Sequence, residues 1–145
     1  MSVPRYWREI PIRYRMIGSR CQICDTTYYP PRRVCPKCKE ARYKDGPVMK
    51  PEQFSGKGFV RTFTTIHVAA PDFTNQTPYT MAVIKMDEGP RITGQLIDCK
   101  EEDIEIGMRV AAVLRRIREE GESGVIHYGY KFRPDRNHKG NKSGK

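Results

Sequence analysis

Residues 21–38 read CQICDTTYYPPRRVCPKC, two Cys-x-x-Cys pairs separated by ten residues in a chain of 145. Two thiolates across a tight turn offer two corners of a tetrahedron, and a second such knuckle supplies the other two. Cys21, Cys24, Cys35 and Cys38 therefore predict one closed metal centre. With every corner taken by protein, no position is open to water or substrate, so the expected role is structural rather than catalytic. Roughly 35 residues cannot bury enough apolar surface to stand alone, whereas structural zinc contributes about 10 to 16 kcal/mol in small finger peptides. The first unit is thus expected to be a rubredoxin-like ribbon stapled by one zinc ion. Iron in the same cage would make a rubredoxin-type electron carrier, and four thiolates alone do not exclude it. Iron knuckles of that type usually place glycine just after the second cysteine of each pair, where this chain has Asp25 and Lys39.

Outward from the knuckles, charge divides the chain. Residues 1–50 carry a net +8, residues 51–132 a net −2, and residues 133–145 a net +4. The basic surface belongs to the ribbon unit and the tail. Upstream, Pro4 suits a first helical turn, and Tyr6, Trp7, Ile10, Tyr14 and Ile17 recur at roughly helical spacing. Pro11 should split this into two short helices, and Gly18 should end the second. Downstream, KDGPVMKPEQFSGKG (residues 44–58) reads as a linker or extended crossover.

The remainder has strand chemistry. GKGFVRTFTTIHVAAP is dense in β-branched and aromatic residues and predicts one long, bent strand. PYTMAVIKM and RITGQLIDC form a hairpin about the DEGP turn, an acidic turn follows, and RVAAVLRRIR and VIHYGYKF are the last two strands. Five strands with a long first one and a short insert between the third and fourth match the Greek-key OB barrel. The expected organisation is mainly β: N-terminal short helices and zinc ribbon over 1–50, a five-stranded OB-fold over 51–132, and a disordered basic tail over 133–145.

No apolar run approaches the roughly 20 residues that cross a bilayer, and the amino terminus lacks a signal-peptide core, so a cytoplasmic protein without membrane contact is expected. Four cysteines sit in metal-type pairs, and Cys99 reads as a small apolar packing residue rather than half of a disulfide. His67, His127 and His138 form no catalytic pattern with neighbours, and Glu101, Glu102, Asp103 and Glu105 read as a solvated turn. No catalytic residue is assigned. Between the knuckles, YYPPRR places Arg32 and Arg33 where they could meet a phosphate or an acidic partner. Tyr28 and Tyr29 could equally pack on the metal module.

PRYWREIPIRYRMIGSRC, then the two knuckles, then GKGFVRTFTTI, PYTMAVIKMDEGPRITGQL, IEIGMRV and YGYKF, in this order and spacing, resemble the acyl-CoA-associated zinc-ribbon and OB-fold family, in its archaeal branch. The resemblance covers residues 4–132. It implies a non-catalytic scaffold that accompanies acetoacetyl-CoA thiolase and hydroxymethylglutaryl-CoA synthase in the mevalonate route to isoprenoids. The ribbon and helices would clamp the enzymes, and the barrel would help shape a coenzyme A or acyl-CoA passage. The four cysteines match the family's metal motif one by one, while Asp25 and Lys39 depart from its knuckle glycines. No coenzyme A ligand is transferred. The competing class is nucleic-acid binding, which ribbons and OB barrels also serve and which a pI near 9.6 invites. The slightly acidic barrel weighs against it, because a strand-binding barrel presents a basic groove with aromatic platforms.

Overall fold

A computed structural model describes residues 3–39, 42–43, 46–119 and 126–135. Helix α1 (Val3–Arg15) is continuous, where two pieces were expected. A proline inside a helix removes one hydrogen bond and crowds the preceding turn, at a cost of about 3 kcal/mol. Here the Glu9–Arg13 ion pair (2.8 Å) spans Pro11, and the helix packs against the strands at residues 17–21 and 126–134. Tertiary contact thus overrides the local breaker. The turn past the helix falls on Met16 (φ 47), not on Gly18.

Gly18 instead lies inside β1 (Ile17–Cys21). A Cβ there would sit 2.4 Å from Phe54 Cζ and 2.6 Å from the Tyr28 carbonyl oxygen, so the missing side chain permits close approach. Strand β1 is the centre of a three-stranded antiparallel sheet, flanked by β2 (Thr27–Tyr28) and β5 (Met49–Gln53). Between them, β3 (Arg42–Tyr43) pairs with β4 (Gly46–Pro47). The segment expected as a linker is therefore partly ribbon sheet. Its few apolar residues account for this: Val48, Met49 and Phe54 are 0%, 6% and 4% exposed, and β5 pairs with β1 from Ile17↔Gln53 to Cys21↔Met49.

The barrel comprises β6 (Lys57–Ile66), β7 (Tyr79–Met86), β8 (Arg91–Leu96), β9 (Arg109–Glu119) and β10 (Ile126–Pro134). It closes in the order β10-β8-β7-β6-β9, with β10 parallel to β8 through Phe132↔Leu96. This is the expected OB topology. A bulge between Val60 and Thr62 bends β6 and shifts its alternation. Val60 and Phe63 consequently both join the core, which strict alternation over the strand would forbid. Phe59 remains outside, with the Lys85 ammonium 5.8 Å from its ring centroid. Strand β6 ends at Ile66, so His67 lies beyond it and is exposed.

A 3-10 helix (Pro71–Gln76) precedes β7, and a short acidic one (Glu101–Asp103) precedes β9; its three acids are exposed while Ile104 is buried. Cys99 packs against the barrel core, and burial pushes its thiol pKa up. The last strand reaches Pro134, so the first two residues of the tail expected as disordered over 133–145 are strand, paired to β9 through Arg133↔Ala111 and Pro134↔Val110; residues 136–145, His138 among them, lie outside the described residues. Among the described residues, no helix is long and apolar enough to cross a membrane.

Candidate metal centre and the joint to the barrel

Each knuckle is a turn in which the residue after the second cysteine donates its backbone N–H to the carbonyl of the first. Asp25 donates to Cys21 (3.0 Å) and Lys39 to Cys35 (2.7 Å). Both donors have left-handed backbones, φ 57 and 59, the conformation that glycine adopts most readily. The knuckle shape is thus retained without its usual glycine. Asp25 has local support, since Arg20 grips both its carboxylate oxygens at 3.0 Å while also reaching Glu52 on β5 at 2.6 and 2.7 Å.

These turns bring Cys21, Cys24, Cys35 and Cys38 together, with all four Sγ atoms within 4.8 Å of one another. Cys24 and Cys35 sulfurs are 3.6 Å apart and those of Cys21 and Cys38 are 4.0 Å apart. Zinc–thiolate bonds of about 2.3 Å in a tetrahedron place sulfurs about 3.8 Å apart, so the donor set suits one tetrahedral ion. Cys21 and Cys35 are fully buried. Thr26, with its hydroxyl 3.2 Å from Cys24 Sγ, holds that thiol down at about 6. Cys38, crowded first by Cys24, is pushed up to about 12. Four thiolates this close repel unless a cation sits among them.

Sequence left the loop between the knuckles open, and its two tyrosines take different places. Tyr28 is half-buried with its hydroxyl 3.7 Å from Cys35 Sγ, and Arg32 stacks over its ring at 5.5 Å. Tyr29 turns the other way, into the barrel's core cluster beside Phe54, at a ring distance of 6.0 Å. The Arg32 backbone N–H donates to Ser19 Oγ (3.0 Å), which fixes the loop on β1. Arg32 and Arg33 are both exposed on this loop.

The joint between ribbon and barrel could not be read from sequence. Met16 and Phe54 belong to the same buried cluster as Val60, Ile84 and Phe132, so the two units share one core. Thr27 Oγ1 donates to the Glu88 carbonyl (2.5 Å), and the Ser55 backbone N–H donates to Glu88 Oε1 (2.6 Å). Glu88 sits in the β7–β8 turn, whose neighbour Asp87 takes a two-pronged ion pair from Arg109 at 2.6 and 2.8 Å. That pair holds the Asp87 carboxyl below the usual carboxylate range. The faint signal for this was an aromatic, Phe54, isolated in a polar segment.

A tetrathiolate ribbon fused through a common core to a closed OB barrel defines the class of two-part zinc-ribbon and OB-barrel proteins. Residues 8–43 match the ChsH2 rubredoxin-like zinc ribbon domain and residues 51–115 the ChsH2 C-terminal OB-fold domain. A DUF35 domain-containing scaffold protein of Methanocaldococcus jannaschii is 51% identical over 135 residues, covering 93% of this chain and 92% of its own. Another, from Methanothermobacter thermautotrophicus, is 42% identical over 130 residues, covering 90% and 94%. The solved structure titled Ltp2-ChsH2(DUF35) aldolase superposes with a TM-score of 0.65 at 25% identity, over 90% of this chain and 92% of that one. The chain belongs to this DUF35 family of zinc-ribbon and OB-fold proteins.

Proposed function

We propose that the chain is a non-catalytic scaffold that holds acetoacetyl-CoA thiolase and hydroxymethylglutaryl-CoA synthase together in the cytoplasm, at the head of the mevalonate route. The observation that carries this reading is the shared core of ribbon and barrel, which makes one stiff body with two differently charged ends. Its relatives are named scaffold proteins, and a similar solved structure is the Ltp2-ChsH2(DUF35) aldolase. Cys21, Cys24, Cys35 and Cys38 would hold one zinc ion, whose contribution is to fix the ribbon's shape. Arg32 and Arg33 are positioned to meet a phosphate or a carboxylate, such as those of coenzyme A or of an enzyme surface.

The chemistry gives such a scaffold a purpose. Forming acetoacetyl-CoA is uphill in the synthetic direction, and the next condensation is favourable, so keeping the two enzymes adjacent draws the intermediate forward. The scaffold needs rigid placement rather than turnover. Mixing the full-length chain with both purified enzymes and resolving the products by size-exclusion chromatography tests this. One complex containing all three is expected, with no thioester turnover by the chain alone. Native co-purification of RNA with neither enzyme would favour the nucleic-acid reading instead.

A further inference from the structure

A cleft of about 360 Å³ opens at the end of the barrel opposite the β7–β8 turn, where β6 ends, β7 begins and β8 ends. Small-molecule sites run from about 300 to 1,000 Å³, so this one has room for a compact ligand. Ligand-binding OB barrels use the face of their second and third strands with the loop that follows the first. Here those are β7, β8 and the segment carrying the 3-10 helix at Pro71–Gln76, and residues of all three line the cleft.

The floor is apolar. Leu96 and Ile104 are buried there, and Tyr79 stands beside them with its ring 6.3 Å from that of Phe73. The walls are polar: Thr65 and Thr80 pair their hydroxyls at 3.3 Å, Gln95 adds an amide, and Asp98 and Glu101 add carboxylates. Gln76 also lines the cleft, but its Oε1 already accepts from the Lys131 ammonium at 3.1 Å, so what it has left to offer is its amide donor. Lys131 is 8% exposed, and burying an ammonium is costly. Its place behind Gln76 holds that amide in one orientation, the kind of support a binding group requires.

Charge decides the ligand class. Among the described residues, no lysine or arginine lines the cleft, so a phosphate or carboxylate would meet Asp98 and Glu101 without a counter-charge. A cationic ligand gains little more, because Asp98 already faces Arg115 at 3.8 Å and the Lys131 ammonium stands behind Gln76, setting two cations against the two acids. A neutral molecule rich in hydroxyl groups meets every requirement. Its O–H donors suit the carboxylates, its oxygens suit the Gln76 amide, and its carbon face suits Tyr79 and Leu96.

We propose that this cleft binds a neutral sugar ring, with Asp98, Glu101 and Gln95 accepting from its hydroxyls, Gln76 donating to one of its oxygens, and Lys131 acting as a positioning residue behind Gln76. The inference goes beyond the scaffold reading and does not depend on it.

Titrating the full-length, metal-loaded, isotope-labelled chain with D-glucose, D-galactose and D-mannose, followed by amide chemical shifts, tests this. At least one sugar should shift the amides of Thr80, Gln95 and Leu96 saturably. D-glucosamine and D-glucuronate, the same ring with a charge of either sign, should bind about tenfold more weakly. Glu101→Gln and Gln95→Ala are each expected to weaken sugar binding by about tenfold. Glu105→Gln, at an exposed acid outside the cleft, leaves it unchanged. Lys131→Met should also weaken binding although it removes a buried charge, a loss that a purely structural lysine would not produce. Unaltered circular dichroism and metal content show that the variants fold. Absence of saturable shifts with all three sugars overturns the inference, as does equal or tighter binding of either charged analogue. Wild-type affinity in Glu101→Gln and Gln95→Ala, or an equal loss in Glu105→Gln, overturns it as well, and unchanged affinity in Lys131→Met overturns the positioning role.

Discussion

Stripping the metal from the full chain should melt the ribbon and spare the barrel. Among the described residues, the ribbon's own buried cluster is Cys21, Cys35, Val48 and Met49, with Tyr28 packed against it, so two ordinary apolar side chains are fully buried there. Full burial of such side chains stabilises by about 1.5–3 kcal/mol each, or about 3–6 kcal/mol together. A structural zinc ion contributes about 10–16 kcal/mol in finger peptides, more than that pair and comparable to the whole stability of a small domain. The barrel differs, because eight of the ten buried residues in its cluster lie between Val60 and Phe132, outside the ribbon unit. It forfeits the packing of Met16 and Phe54 and so melts at a lower temperature, but it stays folded. Chelation followed by hydrogen exchange, read by mass spectrometry, checks this. Amides of residues 17–38 should lose protection while those of β7, β8 and β10 keep theirs, with one zinc released per chain. Cys38→Ser should behave like the chelated protein. Persistent protection of the ribbon without metal, or release of iron instead of zinc, would refute the reasoning.

Two further outcomes concern the barrel. A Cβ on Gly94 would lie 2.6 Å from Phe132 Cδ2, and Phe132, 1% exposed, has nowhere to swing; Gly94→Ala should cost about 1–3 kcal/mol. Adding Phe132→Leu should recover part of that loss, and strictly additive melting shifts would contradict the geometry. Lys131 is 8% exposed, its ammonium donates to Gln76 Oε1 (3.1 Å), and burial with Arg115 nearby holds its pKa below the usual lysine value. The unfolded chain therefore binds this proton more readily, so the group destabilises the fold at neutral pH. That penalty fades as pH rises through the folded pKa toward 10.5. Lys131→Met should raise the melting temperature at pH 7, with a gain that shrinks as pH approaches 10.5; a gain independent of pH would point to packing alone.

What was legible in advance had local chemistry. The tetrathiolate centre follows from four sulfurs at fixed spacing within residues 21–38, and the barrel from β-branched runs broken by turn residues. What escaped depended on distant partners. The unbroken helix across Pro11 packs against β1 and against β10, which arrives late in the chain. Gly18 looked like a helix terminator because its real constraint, the approach of Phe54, comes from 36 residues away along the chain. Strand β5 buries only Met49 completely, and Phe54 follows just after it, so composition alone resembled a linker. Arg32 and Arg33 are exposed on the loop between the knuckles, and Trp7, which the helical spacing placed on α1, is 74% exposed there.

The β7–β8 turn carries one more implication. Hairpin tips are where evolution and protein engineers most freely lengthen a chain. Here the tip at Glu88 is clasped by Thr27 and Ser55, and a Cβ on Gly89 would lie 3.3 Å from Thr27 Oγ1. An extra residue at this tip would act as a wedge. Natural variants should therefore keep its length constant and accept insertions elsewhere, and reporter fusions belong at the opposite rim.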